Sequence, residues 1–357
     1  MGKNLNNHKL GAGLFLLAAR ALVAWAGLGL AGLGLAGLAL AGVGLAGAGL
    51  ADGALADGEE IIFGIISTES TQNLRKNWEP LLKDLGRETG LEVKALFASD
   101  YGGIVEGMRF GKVDLAWFGN KSAIEAVDRA GGEVFLKTVD ADGSGGYYSH
   151  IIANVNSPLN SVEDMLREAK NLNFGNGDPN STSGYLVPGY YVFAARGLDP
   201  RRVFKRTVNA NHEGNALSVA AGQVDVATSN NESLKRLQAT APEKRKLIKV
   251  IWTSPLIPSD PLVWRKDLEP GIKKKIRDFF LAYGKRGVAR EAEILGAMGW
   301  KGFEPSDNDQ LMPIRQLELF REKKGLADRE KLNEDQKERL REIEKELKEL
   351  ETKMAQS

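Results

Sequence analysis

Three hydroxyl residues in a row, Ser181, Thr182 and Ser183, stand inside the stretch FGNGDPNSTSGYLVPGYYVF at positions 174–193. Gly175, Gly177 and Pro179 mark a loop, and the hydroxyls fall where the following apolar run needs an N-cap. One hydroxyl caps a helix. Three of them, beside the unpaired N–H groups and positive dipole end of a helix start, suit a ligand with several anionic oxygens, such as a phosphate or a phosphonate. No Walker-type phosphate loop is present and no basic cluster flanks the hydroxyls. Neutral donors without a lysine fit reversible capture of an oxyanion better than phosphoryl transfer, which needs positive charge or metal on the moving group. Pro188, just past the expected first turn, predicts a short, kinked start to the helix.

Other chemistry is restricted by composition. The chain has no cysteine, which excludes disulfides, thiolate metal sites and a cysteine nucleophile, and its only imidazoles are His8, His150 and His212. A histidine-built metal site is not expected, nor is a cofactor. Lys+Arg of 48 against Asp+Glu of 47 leaves a net charge of +1, so no global basic field points to nucleic acid.

The elements that must position the loop are legible by period. EIIFGII, from residue 60, reads as a buried strand, and residues 71–88 as an amphipathic helix with Leu74, Trp78, Leu81, Leu82 and Leu85 on one face. A strand in LEVKALF, a short helix to Phe110 and a strand in KVDLAWF follow. Strands alternating with helices imply an α/β fold with mainly parallel pairing. At 357 residues, 43% hydrophobic, the chain forms more than one domain.

GKVDLAWFGN at 111–120 and GQVDVATSNN at 222–231 share Gly, Val, Asp, Ala and the final Asn at an offset of 222 − 111 = 111 residues. Each copy puts a glycine at a helix end, a strand after it and a polar turn after that, as two similar α/β lobes would. Ligands of open α/β sheets sit beyond the carboxyl ends of strands. Two facing lobes therefore make a cleft lined by residues 117–120 and 228–232. Glu232 directly follows the second copy, so the repeat places it at the cleft. Asp260, between Pro258 and Pro261, sits on a rigid turn that can aim its carboxylate.

The two ends of the chain differ from the middle. Lys3, Lys9 and Arg20 precede an uncharged run over residues 21–51 built almost wholly of Gly, Ala and Leu, followed by the small-residue site Ala54-Leu55-Ala56. This layout predicts an export signal over residues 1–56 with cleavage near Ala56; a retained anchor is the alternative, since roughly 30 apolar residues span a bilayer. Cleavage would remove three positive charges and Asp52, leaving 45 against 46, or −1. At the other end Leu340, Ile343, Leu347, Leu350 and Met354 are spaced 3, 4, 3, 4, an a/d seam among Glu, Lys and Arg. The stripe predicts pairing with a second protomer, making a homodimer; docking on the chain's own body is the alternative.

FGIISTES, DYGGIVEGMRFGKVDLAWFGN, FGNGDPNSTSGYLVPGYYVF, FKRTVNANHEGNAL, QVDVATSNNE and VIWTSPLIPSDPLVWR together resemble the phosphonate-binding proteins of bacterial ABC importers. The likeness covers about residues 60–319. It implies the two-lobed periplasmic-binding-protein fold (type II, the Venus-flytrap arrangement) with a C-terminal helical extension. Lobe 1 would take residues 57–150 and 256–325, lobe 2 residues 151–255, and the C-terminal helix 326–357. The resemblance implies no enzyme: a periplasmic solute-binding protein captures an alkylphosphonate such as 2-aminoethylphosphonate and delivers it to an ABC permease. It further implies that Ser181, Thr182, Ser183 and His212 hold the phosphonate, that Glu232 and Asp260 receive the ammonium, and that Tyr101 and Tyr147 line the cleft. Phe118 stands where the family often has tyrosine, which removes one hydroxyl from that loop. An enzyme or sensor on the same scaffold, acting on a phosphorylated small molecule, is the alternative reading.

Overall fold

The strand expected from residue 60 is β1 (Glu60–Ile65), and the helix after it, Thr71–Thr89, buries the expected stripe from Leu74 to Leu85. The computed structural model describes residues 59–327, 329 and 331–356. The expected export segment lies outside them. No helix among the described residues is long and apolar enough to cross a membrane.

Two sheets form. β1 pairs in parallel with β2 (Glu92–Phe97) and β3 (Leu115–Trp117); the sheet continues through β12 (Pro261–Arg265), β4 (Gly132–Asp140) and β13 (Trp300–Pro305). In the second sheet β7 (Asn173–Asn176) pairs in parallel with β8 (Arg206–Asn209) and β9 (Val226–Asn230). It continues through β6 (Ser149–Asn154) to β10 (Ile248–Thr253). Both sheets thus run from a parallel trio into an inserted antiparallel strand, β12 in one and β6 in the other. The chain leaves the first sheet after β4 and returns at β12. The two passes meet as a short antiparallel ribbon of β5 (Gly146–Tyr147) and β11 (Ile257–Pro258).

The 111-residue offset holds at atomic level. Asp114 Oδ2 accepts from Ile62 N at 2.8 Å, and Asp225 Oδ2 accepts from Asn173 N at 2.7 Å. Each acceptor and each donor is displaced by the same 111 positions. Gly111 and Gly222, the first residues of the two copies, both end a helix at positive φ, 66° and 69°, where a side chain would be strained. The repeated aspartate therefore does one job twice: its short carboxylate pins the start of the neighbouring strand, so register is fixed before the site residues that follow.

At the C-terminus the helices Met312–Ala327 and Glu334–Met354 pack on each other. The seam expected to pair with a second protomer is covered by the chain itself. Ile343 and Leu347 are buried against Leu319 and Leu326, with Leu340 and Leu350 half-buried beside them. Leu319 and Leu326 are themselves seven residues apart, so the preceding helix supplies the complementary stripe and a partner helix is not needed to bury it. Putting a charge there should break the helical pair. Ile343→Asp is expected to abolish amide-exchange protection over Glu334–Met354 while the sedimentation coefficient stays that of the unmodified chain. Dissociation into smaller species with that protection intact would restore the intermolecular seam.

Candidate functional site

The hydroxyl loop is shaped by its punctuation. Gly177 N donates to Gly184 O at 2.9 Å, and a Cβ at Gly177 would lie 2.4 Å from that oxygen, so only glycine fits. Pro188 would clash with the carbonyl of Gly184 in an α-helix, four residues back. The chain instead winds wide (π) turns over Thr182–Leu186 and Gly189–Phe193, with Pro188 at their junction. The expected kink is thus resolved as widened winding, and Gly184 O is left to bond the loop.

Ser181 is the N-cap, accepting from Gly184 N at 2.9 Å. Thr182 Oγ1 accepts from Lys121 N at 2.9 Å, and Ser183 Oγ from Asn230 Nδ2 at 3.0 Å. Each hydroxyl oxygen therefore has a fixed N–H on one lone pair. A hydroxyl has a single hydrogen and two acceptor sites, so the three O–H groups remain as donors while their oxygens are held in place. His212, 3% exposed, sets Nε2 at 3.4 Å from Ser181 Oγ, Ser183 Oγ and Asn230 Nδ2. Burial, aided by the positive charge of Arg236, pulls its imidazole down to about 3, so the ring is neutral. Its Nδ1 is buried without a hydrogen-bond partner among the described residues.

All eight residues singled out from the sequence line one small, closed cavity. The hydroxyls and His212 are bonded together, and a separate group of carboxylates lines the same cavity. Asp260 Oδ1 accepts from Tyr147 O–H at 3.0 Å, and Glu232 Oε1 from Trp300 Nε1 at 3.2 Å. Burial, then the charge of Glu232, pushes Asp260 well above the usual carboxylate range. Burial and Glu232 also push Asp140, at the end of β4, up to about 7. Tyr101 and Tyr147 are buried walls whose phenols burial keeps neutral. Phe118 is fully buried in the core and does not line the cavity. With donors in one cluster and carboxylates in another, the cavity matches a small molecule carrying an oxyanion and a cation.

Sequence reasoning passed over Glu69, Asp140, Arg236 and Trp300. Arg236 had a signal, four residues beyond Glu232 on one helix (Asn231–Thr240). The other three come from strands and loops far away in sequence. Nothing local marks them.

The chain matches the family model described as "ABC transporter, phosphonate, periplasmic substrate-binding protein" over residues 63–311. It is 58% identical, over 77% of its length and 80% of the relative's, to the phosphonates-binding periplasmic protein of Escherichia coli K12. Among solved structures it resembles a binding protein component of an ABC phosphonate transporter from Pseudomonas aeruginosa, with TM-score 0.81 and 56% identity. That match covers 84% of this chain and 99% of the other. PhnD1 of Prochlorococcus marinus, solved in complex with methylphosphonate, matches with TM-score 0.65 and 25% identity over 72% of this chain and 97% of its own.

Proposed function

The chain belongs to the periplasmic substrate-binding proteins of phosphonate ABC transporters, and from that premise we propose that its ligand is 2-aminoethylphosphonate. The family binds solute for a transporter and is not a family of enzymes. The observation that carries the finer reading is the pair of clusters in one cavity: three oriented hydroxyls with His212, and Glu232 with Asp260. The first would take the phosphonate through hydrogen bonds to charged oxygens. The second would take the ammonium, as a cation paired with buried carboxylates. Tyr101 and Tyr147 would wall the ethyl link. In this reading residues 57–150 with 256–325, and residues 151–255, are the two bodies that close over the ligand before delivery to the permease.

Trp117 lines the cavity and packs on Trp78 and Trp300, with ring centroids 5.4 and 5.7 Å away, so intrinsic fluorescence should report occupancy. Titration with 2-aminoethylphosphonate, ethylphosphonate and inorganic phosphate is expected to rank the amino ligand first. Equal affinity for all three would remove the ammonium subsite from the proposal. Turnover of the ligand would revive an enzyme.

Acidity tests the same end of the cavity. Because burial and the charge of Glu232 hold Asp260 well above the usual carboxylate range, lowering the pH protonates a group that an ammonium needs ionised. Ethylphosphonate carries the same phosphonate group and serves as the control once each ligand's own phosphonate titration has been measured and corrected for. The corrected affinity ratio of 2-aminoethylphosphonate to ethylphosphonate should fall, by up to about tenfold per pH unit, as the pH is lowered from about 8 to about 5. A ratio constant across that range would place no titrating carboxylate at the ammonium.

Export belongs to the proposal as well. Amino-terminal sequencing of the exported chain is expected to begin near Asp57, after the Ala54-Leu55-Ala56 site. A chain that retains residues 1–56 would be anchored rather than free.

A further inference from the structure

Three carboxylates, Glu69, Glu232 and Asp260, act on one buried cation, Arg236. Its side chain is 10% exposed and that of Glu69 is 6%. Arg236 Nε donates to Glu69 Oε1, Nη2 to Ser233 Oγ at 3.1 Å and Nη1 to Met298 O at 3.4 Å. A guanidinium has five N–H groups, so the protein holds it without exhausting it, and Arg236 also lines the ligand cavity. Burial works against its charge, yet Glu69, Glu232 and Asp260 together hold the guanidinium above its ordinary value. A buried ion pair adds little stability over a well-packed apolar pair. What an apolar pair could not supply is positive charge facing Glu232 and Asp260.

Resting on the reading of 2-aminoethylphosphonate as ligand, we infer that Arg236 sets the selectivity of the ammonium end, as the internal counter-cation of Glu232 and Asp260. In the empty cavity the guanidinium neutralises the carboxylates that would otherwise stand unpaired. An arriving ammonium shares them with it and is repelled by it. Arg236 thereby weakens the preference for amines and keeps ligands without an amine from being rejected outright. Glu69 holds the guanidinium back from the cavity, so anchor and counter-cation have opposite effects on selectivity.

The test is calorimetry on the full chain with 2-aminoethylphosphonate and ethylphosphonate, about one pH unit above the Asp140 titration. Both ligands carry the same phosphonate, so their affinity ratio isolates the ammonium end. Arg236→Met is expected to move the ratio about tenfold toward the amine, as removal of a like charge from the same buried cavity should. Arg236→Lys should return it to the wild-type value. Glu69→Gln keeps the guanidinium but loosens its anchor and should move the ratio several-fold the other way; this arm stands even if Arg236→Met does not fold. Equal changes for both ligands in Arg236→Met and Glu69→Gln would make the pair structural and overturn the inference alone. A wild-type chain that binds both ligands equally would overturn the ammonium reading, and this inference with it.

Discussion

Glu232→Gln is expected to weaken 2-aminoethylphosphonate by about 2–5 kcal/mol, roughly 30-fold to several thousand-fold, while ethylphosphonate binds unchanged or slightly better. The amide matches the carboxylate in shape, and its oxygen can still accept from Trp300 Nε1, which now bonds Glu232 Oε1. The fold should therefore tolerate the change. What is lost is the charge. With it goes part of what pushes Asp140 and Asp260 up, so both titrations should move down toward ordinary carboxylate values in the variant. Calorimetry of both ligands at one pH and salt concentration reads the ratio. If both weaken equally, Glu232 is a structural group and the ammonium lies elsewhere.

Substitutions in the hydroxyl loop should show the opposite pattern. Ser181→Ala, Thr182→Ala and Ser183→Ala are each expected to cost about 1–3 kcal/mol, roughly 5- to 150-fold, for every phosphonate alike, because each removes a donor to charged oxygens. The three differ in side effects. Ser181→Ala also removes the cap on Gly184 N, at about 0.5–2 kcal/mol of stability, and should lower the melting temperature. Thr182→Ala strands the N–H of Lys121, which comes from the other sheet's side of the cavity, and should hinder closure. Ser183→Ala frees an asparagine amide hydrogen and removes a 3.4 Å contact with His212 Nε2 but strands no backbone N–H, so it is the cleanest probe. Unchanged affinity in Ser183→Ala, with the melting temperature preserved, would take the loop out of the anion site.

Amphipathic spacing alone identified the helix beginning at Thr71, because burial of Leu74, Trp78, Leu81, Leu82 and Leu85 follows from a period that neighbouring residues set. The repeat did more. Identity at an offset of 111 placed Glu232 at the cavity, since a duplicated strand and turn present corresponding residues at the same end of each sheet. The hydroxyl loop was legible for a similar reason: capping and proline geometry are chemistry among residues a few positions apart.

The sequence read alone left the seam around Ile343 open between a second protomer and the chain's own body. A heptad stripe states that an apolar partner is required, not whose partner it is, and the chain met that need with Leu319 and Leu326.

The amino-acid sequence by itself determined the α/β elements, the doubled half-site and the hydroxyl loop, and the family resemblance added the remaining candidates among the residues that line the cavity. Only the tertiary structure brought Glu69 to Arg236, 167 positions away, and set Trp300 and Asp140 around Glu232. The physical reason is that secondary structure is chosen by steric and hydrogen-bonding terms between near neighbours in the chain. The charge state of a buried group depends instead on its distance in space to other charges and on its loss of water. Neither quantity is written in any local pattern, so the donors could be read from the sequence while the charges that tune them could not.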